Sequence, residues 1–148
     1  MPLQLTIVTA DRPVLTDDVD MVIAPGAAGE LGILPRHEPL LTTLKPGELR
    51  VLHNGQWEFL AVAGGFMQVD QRGVTILADA AERVDEIDEA RAQEARRHAQ
   101  AELEAAPDMQ ARAEAQLALL RAIARISVAE RRRHGHPRTT QPQQPQQQ

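Results

Sequence analysis

The sequence predicts a small N-terminal β-sandwich, an antiparallel two-helix hairpin and a disordered tail, in that order. Residues 1–84 contain short apolar runs separated by Gly, Pro and Asp, whereas 85–133 lack Gly, are rich in Ala and carry charges every three or four positions. Pro and Gln dominate the end of the chain, and such sequence cannot bury a core. We therefore predict a β-sandwich domain over 1–84, a helical hairpin over 85–133 and a tail over 134–148.

Eight short apolar runs at close spacing predict the strands of the sandwich. Leu5 and Ile7 alternate with polar neighbours, as expected for a strand with one buried face, whereas the run 60–63 is apolar on both faces and is typical of a strand between two sheets. Asn54-Gly55 is a strong signal for a two-residue hairpin turn. The predicted strands cover 3–9, 18–24, 30–34, 40–44, 48–53, 58–63, 66–70 and 74–78.

Two helices are predicted over about 88–105 and about 109–132, because Pro107 interrupts the helical pattern once. Asp88 and Asp108 stand where N-caps are expected. The first helix offers a thin apolar stripe made mostly of Ala, which buries little surface, so the hairpin should be marginal alone and should depend on the sandwich or on a partner. The second helix is predicted to bury a stripe of Leu117, Leu120, Ala124 and Val128, with Ile123 beside it.

The composition excludes several classes of function. The chain has no Cys, which excludes disulfides, iron–sulfur clusters, Cys-ligated zinc and a thiol nucleophile. An aromatic content of 2% and a net charge of −5 argue against base stacking and duplex binding, so no nucleic-acid partner is expected. Because the chain starts without a signal-peptide pattern and has no apolar run near the roughly 20 residues that span a bilayer, we expect a soluble, cytoplasmic protein.

Motifs of conventional catalysis are absent from the sequence. The five His are dispersed, and there is no Ser-His-Asp spacing, no His-Glu-x-x-His and no glycine-rich phosphate loop. His134 and His136 lack a third ligand nearby, and the aspartates at 17, 18 and 20 are better explained as charges that protect an edge strand. We therefore predict no catalytic residue, no metal site and no required cofactor.

The segment 29–42 contains unusually many residues that determine backbone conformation. It has two Gly and two Pro among apolar residues in Gly-Glu-Leu-Gly-Ile-Leu-Pro-Arg-His-Glu-Pro-Leu-Leu-Thr. This segment resembles the signature G-E-L-G-I-x-P-G-H-x-P-L-L of the ε subunit of bacterial F-type ATP synthase. The similarity extends over roughly 1–132, through Gly64-Gly65-Phe66-Met67-Gln68-Val69 and Arg121-Ala122-Ile123-Ala124-Arg125-Ile126-Ser127-Val128. Arg36 stands where the family usually has Gly and Glu38 replaces a small or apolar residue, so this turn is expected to differ in conformation or contacts.

The resemblance implies a non-catalytic rotor subunit of the central stalk, peripheral on the cytoplasmic face of the bacterial cell membrane. Such a subunit sits with γ on the c-ring and couples rotation to ATP synthesis and proton transport, so membrane association would come only through the complex. Glu30 is then expected to face the c-ring and His37 to lie near the junction of γ and the ring, although His37 bonded within its own turn is an equal alternative. With few aromatic anchors, the interface is expected to rest on aliphatic residues and shaped loops.

The resemblance also implies that the hairpin regulates ATP hydrolysis. In the family the hairpin either folds down on the sandwich or extends along γ, where basic residues of its second helix meet the catalytic α/β hexamer and block hydrolysis. Some bacterial members bind ATP as a regulatory ligand through I/L-D-x-x-R-A, which here reads Ile87-Asp88-Glu89-Ala90-Arg91-Ala92. The candidate ATP-binding residues implied are Glu82, Ile87, Asp88, Arg91, Arg121 and Arg125, with Arg96 or Arg97 open as a further one.

Two alternatives stay open beside this reading. For the candidate ATP residues, the alternative is that Asp88 caps the first helix while Arg91 pairs with Asp88 or Glu94. Arg121 and Arg125 would then form surface ion pairs and complement the C-terminus of the second helix. For the whole chain, it is a free-standing β-sandwich binding or hydrolytic protein with a helical dimerisation hairpin, which would form a monodisperse homo-oligomer without other partners.

Overall fold

The computed structural model describes residues 2–133, so the predicted tail over 134–148 lies outside the described residues. The described part forms a β-sandwich, a single 3₁₀ turn at Val84–Glu86 and two helices, α1 at Glu89–Ala105 and α2 at Met109–Arg133. The predicted fold class is confirmed. The ten strands in this part are β1 Leu3–Val8, β2 Pro13–Val19, β3 Met21–Gly26, β4 Gly29–Ile33, β5 Leu40–Leu44, β6 Gly47–His53, β7 Gln56–Val62, β8 Gly65–Asp70, β9 Gly73–Ala78 and β10 Ala81–Arg83.

One hydrogen-bonded path of strands folds over to make both layers of the sandwich. The order is β10-β7-β6-β3-β5-β8-β9-β1-β2, with β4 paired to β3 off this path. The link between β3 and β5 is a single pair, Gly26 with Leu44, and it lets the sheet turn from one layer to the other. Inward-facing residues of both layers meet in one core that includes Leu5, Ile76, Leu49 and Leu60.

A second, smaller apolar cluster lies where the hairpin meets the sandwich. Phe59 and Ala61 of β7 pack there with Val128 and Ala129 of α2, together with Val84, Ile87 and the partly buried Trp57. The main core contains no helix residue, so the sandwich does not depend on the hairpin for its interior. The docking of the hairpin therefore depends on this small cluster and on the polar contacts around it.

Two strands were not predicted as separate elements. The run 18–24 was predicted as one strand, but the chain turns at Asp20, between the end of β2 and the start of β3. Asp20 fixes this corner: its backbone N–H donates to Leu52 and its carboxylate accepts from the backbone N–H of Asn54 at 3.1 Å. The second is the three-residue β10, which pairs with β7 and has no apolar pattern of its own.

The helix caps are confirmed, and so are Ala124 and Val128 of the predicted stripe of α2, but its large residues are not buried. The Asp88 carboxylate accepts from the backbone N–H of Arg91 at 3.2 Å, and that of Asp108 accepts from Ala111 at 2.8 Å. Leu117, Leu120 and Ile123 are exposed. The buried face consists mainly of small residues, which allow the backbone of α2 to approach its neighbours closely, and its members are Ala115, Ala122, Ala124, Ile126, Val128 and Ala129.

Candidate functional site

A cavity of ≈ 290 Å³ lies between the edge of the sandwich and both helices of the hairpin. Its wall is almost entirely small and apolar, and three charged side chains reach it, those of Glu82, Arg121 and Arg125. A narrow apolar slot with a few converging polar groups is the usual form of a small-molecule site. The apolar lining residues are Ala61, Val62, Ala63, Ala80, Ala95, Ala118 and Ala122.

The charged end of the cavity is formed by an ion pair between strand β10 and helix α2. Arg125 Nε lies 2.8 Å from Glu82 Oε1, and Arg125 Nη2 donates to Glu82 Oε2 at 3.3 Å. Arg125 Nε is buried. Although it lies close to Glu82, it has no hydrogen-bond partner within residues 2–133, so this contact is an ion pair only. Arg121, one turn earlier on α2, donates to the carbonyl of Leu117 in its own helix at 3.3 Å. Both guanidinium groups therefore keep donors that a ligand can use.

The residues of the I/L-D-x-x-R-A segment do not line the cavity. Ile87 is buried in the small cluster beneath the hairpin, and the Asp88 carboxylate is engaged as the cap of α1. Arg91 is exposed and precedes the cavity residue Ala95 by one helical turn, so the two share a helix face. The structure thus brings together Glu82, Arg121 and Arg125, places Arg91 one helical turn from the cavity wall, and leaves Ile87 and Asp88 outside that wall.

The outer face of the layer that contains β5, β8, β9 and β1 carries two uncharged rows of side chains. The first row crosses four neighbouring strands through Thr43, Phe66, Leu77 and Val8, and the second contains Leu41, Gln68, Thr75 and Thr6. Phe66 is 53% exposed and Leu41 is 72% exposed. Charged residues make up 25% of the whole chain, so eight uncharged outward positions with exposed apolar side chains indicate a contact surface. We call these two rows the uncharged face.

Glu30 and His37 lie at opposite ends of β4 and its following loop. Glu30 is the second residue of β4, and its carboxylate accepts from Arg50 Nη2 of β6 at 2.7 Å. His37 closes the turn after β4, where its backbone N–H donates to Leu34 at 3.1 Å and its Nδ1 lies 2.7 Å from the carbonyl oxygen of Glu38. Both side chains are exposed, so these internal bonds leave them accessible to a partner.

The turn before His37 contains Arg36 in the left-handed region, at φ 66°. This conformation is unfavourable for a residue with a Cβ and explains why Gly is the usual residue at this position of the signature. The side chain of Arg36 borders a shallow depression of the same loop, together with Arg72 of the β8–β9 turn.

Arg36→Gly is expected to stabilise the sandwich by about 0.5–1 kcal/mol, because the relief of left-handed strain exceeds the added chain entropy. Urea unfolding followed by far-ultraviolet circular dichroism measures the change. Arg72→Gly, at a position with negative φ, is the matched control and should reduce stability. A loss of stability in Arg36→Gly contradicts the strain argument.

Comparisons with known proteins match both parts of this architecture. The family model described as "ATP synthase, Delta/Epsilon chain, beta-sandwich domain" matches residues 2–84, and "ATP synthase, Delta/Epsilon chain, long alpha-helix domain" matches 85–130. The chain belongs to the ATP synthase delta/epsilon chain family. The resemblance to the ε subunit of ATP synthase is therefore confirmed.

Individual relatives agree with this family. The ATP synthase epsilon chain of Herpetosiphon aurantiacus is 54% identical over 134 residues, which cover 90% of this chain and 98% of that one. The epsilon chain of Chloroflexus aurantiacus is 60% identical over 96 residues, covering 65% and 69%. Among solved structures, a chain of the Euglena gracilis mitochondrial ATP synthase, OSCP/F1/c-ring in rotational state 1, matches with a TM-score of 0.71 and 29% identity, covering 80% of this chain and 76% of that one.

Two further findings on this epsilon-family chain concern the hydropathy of its helices and the exposed surface of its sandwich. Neither α1 nor α2 has the length and hydropathy that a membrane-crossing helix requires, within the described residues. Phe66 was missed as a surface residue by the sequence analysis, which expected aliphatic contacts. The signal was present in the strand alternation, because Phe66 shares its parity with exposed Gln68 rather than with buried Met67.

Proposed function

We propose that this chain is a non-catalytic rotor subunit that joins γ to the c-ring, with a hairpin that regulates ATP hydrolysis. The observation that carries this proposal is the uncharged face, which a family member of the central stalk needs for a permanent partner. In this proposed role the chain lies at the cytoplasmic face of the bacterial cell membrane as a peripheral protein, attached to the membrane only through the complex. No cofactor is required for this role.

The uncharged face is proposed to dock on γ. Adjacent strands are about 4.8 Å apart, so the row from Thr43 to Val8 spans roughly 14 Å of flat, neutral surface. Interface cores are depleted in charge and enriched in aromatic residues, and Phe66 lies in the middle of this row. Glu30, near the start of β4, is proposed to contact the c-ring, and the exposed loop around His37 is proposed to contact the junction of the c-ring with γ.

Co-purification tests this assignment directly. The tagged full chain, co-expressed with γ, the c subunit and the α/β hexamer of its own ATP synthase, is expected to elute with all of them. A chain that elutes without these subunits, as a monodisperse homo-oligomer, would instead support a free-standing protein with a dimerisation hairpin.

We also propose that the cavity between the hairpin and the sandwich binds ATP as a regulatory ligand. Its alanine-lined wall suits a flat purine, and the guanidinium groups of Arg121 and Arg125 suit phosphate oxygens. Arg91 lies one turn from the cavity and has the length to reach a phosphate, whereas Glu82 orients Arg125. A ligand that bridges the sandwich and both helices stabilises the folded-down hairpin by mass action.

Arg121→Ala and Arg91→Ala are each expected to weaken ATP binding by the isolated full chain at least about tenfold, because each removes a charged donor to phosphate. Isothermal titration calorimetry measures the affinity. Arg112→Ala is the matched control, since Arg112 is an exposed arginine of α2 that does not line the cavity. Unchanged affinity in both variants, or no binding by the parent chain at millimolar ATP, excludes this site.

A further inference from the structure

Glu48 is the most covered of the glutamates that pair with arginine in the described residues. Its side chain is 15% exposed, whereas the other four lie between 30% and 64%. Glu48 is the second residue of β6 and pairs with Ala61 of β7, which belongs to the cluster beneath α2. The docked hairpin therefore shields the Glu48 side chain from solvent.

Both carboxylate oxygens of Glu48 are engaged by α2. Oε2 accepts from Ser127 Oγ at 3.0 Å, and Oε1 accepts from Arg131 Nη2 at 2.8 Å. Ser127 and Arg131 are four residues apart and so lie on one helix face. A carboxylate that accepts from two side chains one turn apart fixes the rotation and the axial position of the helix against the strand.

The same contact covers an aromatic ring. The guanidinium carbon of Arg131 lies 4.3 Å from the centroid of the Phe59 ring, and Val128 and Ala129 are buried between the two polar contacts. The Glu48 side chain is 15% exposed and that of Arg131 is 39% exposed, so loss of either partner leaves a half-buried group without its hydrogen bonds, and the contact favours the docked hairpin. None of Glu48, Ser127 and Arg131 lines the cavity that we propose for ATP.

We propose that Glu48 is the positioning residue of a latch that holds the hairpin down independently of nucleotide. The inference rests on the proposed function in one respect: the hairpin must have an extended form to which it can be released. In the docked form Glu48 holds both Ser127 and Arg131 of α2, so release of the hairpin must break this contact.

Hydrogen–deuterium exchange on the full chain, without nucleotide, tests the latch. Glu48→Ala is expected to speed exchange of α2 amides between 122 and 133 by at least about tenfold while β8 and β9 stay protected. Glu58→Ala is the matched control, because Glu58 pairs with Arg83 at 3.0 Å within the sandwich and should leave α2 unchanged. Ser127→Ala should also speed exchange of α2, and should add little once Glu48 is already Ala.

The latch proposal is wrong if the α2 amides of Glu48→Ala exchange at the rates of the parent chain. It is also wrong if Glu58→Ala accelerates exchange of the α2 amides equally. If Glu48→Ala also loses protection in β8 and β9, the smaller changes Glu48→Gln and Ser127→Ala decide the matter, and unchanged α2 exchange in both excludes the latch. These measurements use neither ATP nor the assembled enzyme. Failure of the proposed nucleotide site or stalk role would appear in calorimetry or co-purification instead.

Discussion

Phe66→Glu is expected to weaken assembly of the chain with γ at least about 100-fold, because it places an unpaired charge at the centre of an apolar contact surface. Phe66 lies opposite Leu77 on one side and Thr43 on the other, in the middle of the uncharged face. Its side chain is half exposed in the isolated chain, so the folded sandwich itself should lose no more than about 1 kcal/mol. Pull-down of γ at graded concentrations, with thermal unfolding of the free chain beside it, separates the two effects.

Met109→Glu is the control for this substitution. Met109 is 88% exposed at the start of α2, so the variant adds the same charge at an exposed apolar side chain away from the sheet. It should leave capture of γ unchanged. If the Phe66→Glu variant captures γ fully, the docking surface for γ must lie on another part of the sandwich.

A chain ended after Val84 is expected to assemble normally and to raise ATP hydrolysis by the complex about tenfold, within the range of typical coupling free energies between sites. The main core uses residues of the sandwich alone, so the truncated chain keeps its interior. In the proposed regulation the hairpin makes the inhibitory contact, and the truncated chain lacks the hairpin. The steady-state rate of ATP hydrolysis by the reconstituted complex measures this relief of inhibition.

A chain ended after Arg133 is the matched control for the truncation. It removes only the segment beyond the described residues and keeps the whole of α2, so inhibition should persist. Equal hydrolysis by the full-length and the hairpin-deleted complexes would contradict regulation by the hairpin. Poor recovery of the truncated chain with γ would place part of the docking surface on the helices.

Local chemistry accounts for the elements that sequence predicted correctly. Asn54 and Gly55 both have positive φ, at 51° and 76°, as the two-residue hairpin signal requires. The caps at Asp88 and Asp108 depend on a side chain and a backbone N–H three residues away. Each of these features is decided within a few residues, so a single sequence contains all the information needed.

Features that depend on tertiary packing were not predictable in this way. Leu117 and Leu120 fit an apolar stripe, yet α2 turns its alanines inward, because close approach to the sandwich favours small side chains at the contact. The partners Glu48 and Ser127 are 79 residues apart, and neither belongs to a recognisable motif. In the candidate ATP site, resemblance supplied the residues, but only the fold distinguishes those that line the cavity from Ile87 and Asp88, which do not.

Trp57 gives the junction between sandwich and hairpin an intrinsic optical signal. It is the single Trp of a chain that has no Tyr, and it packs against the cluster formed by β7 and α2. Ultraviolet emission from the unlabelled protein therefore comes from one indole at the surface that the hairpin covers. The position of the hairpin can be followed in real time, in the free subunit, without attaching a dye.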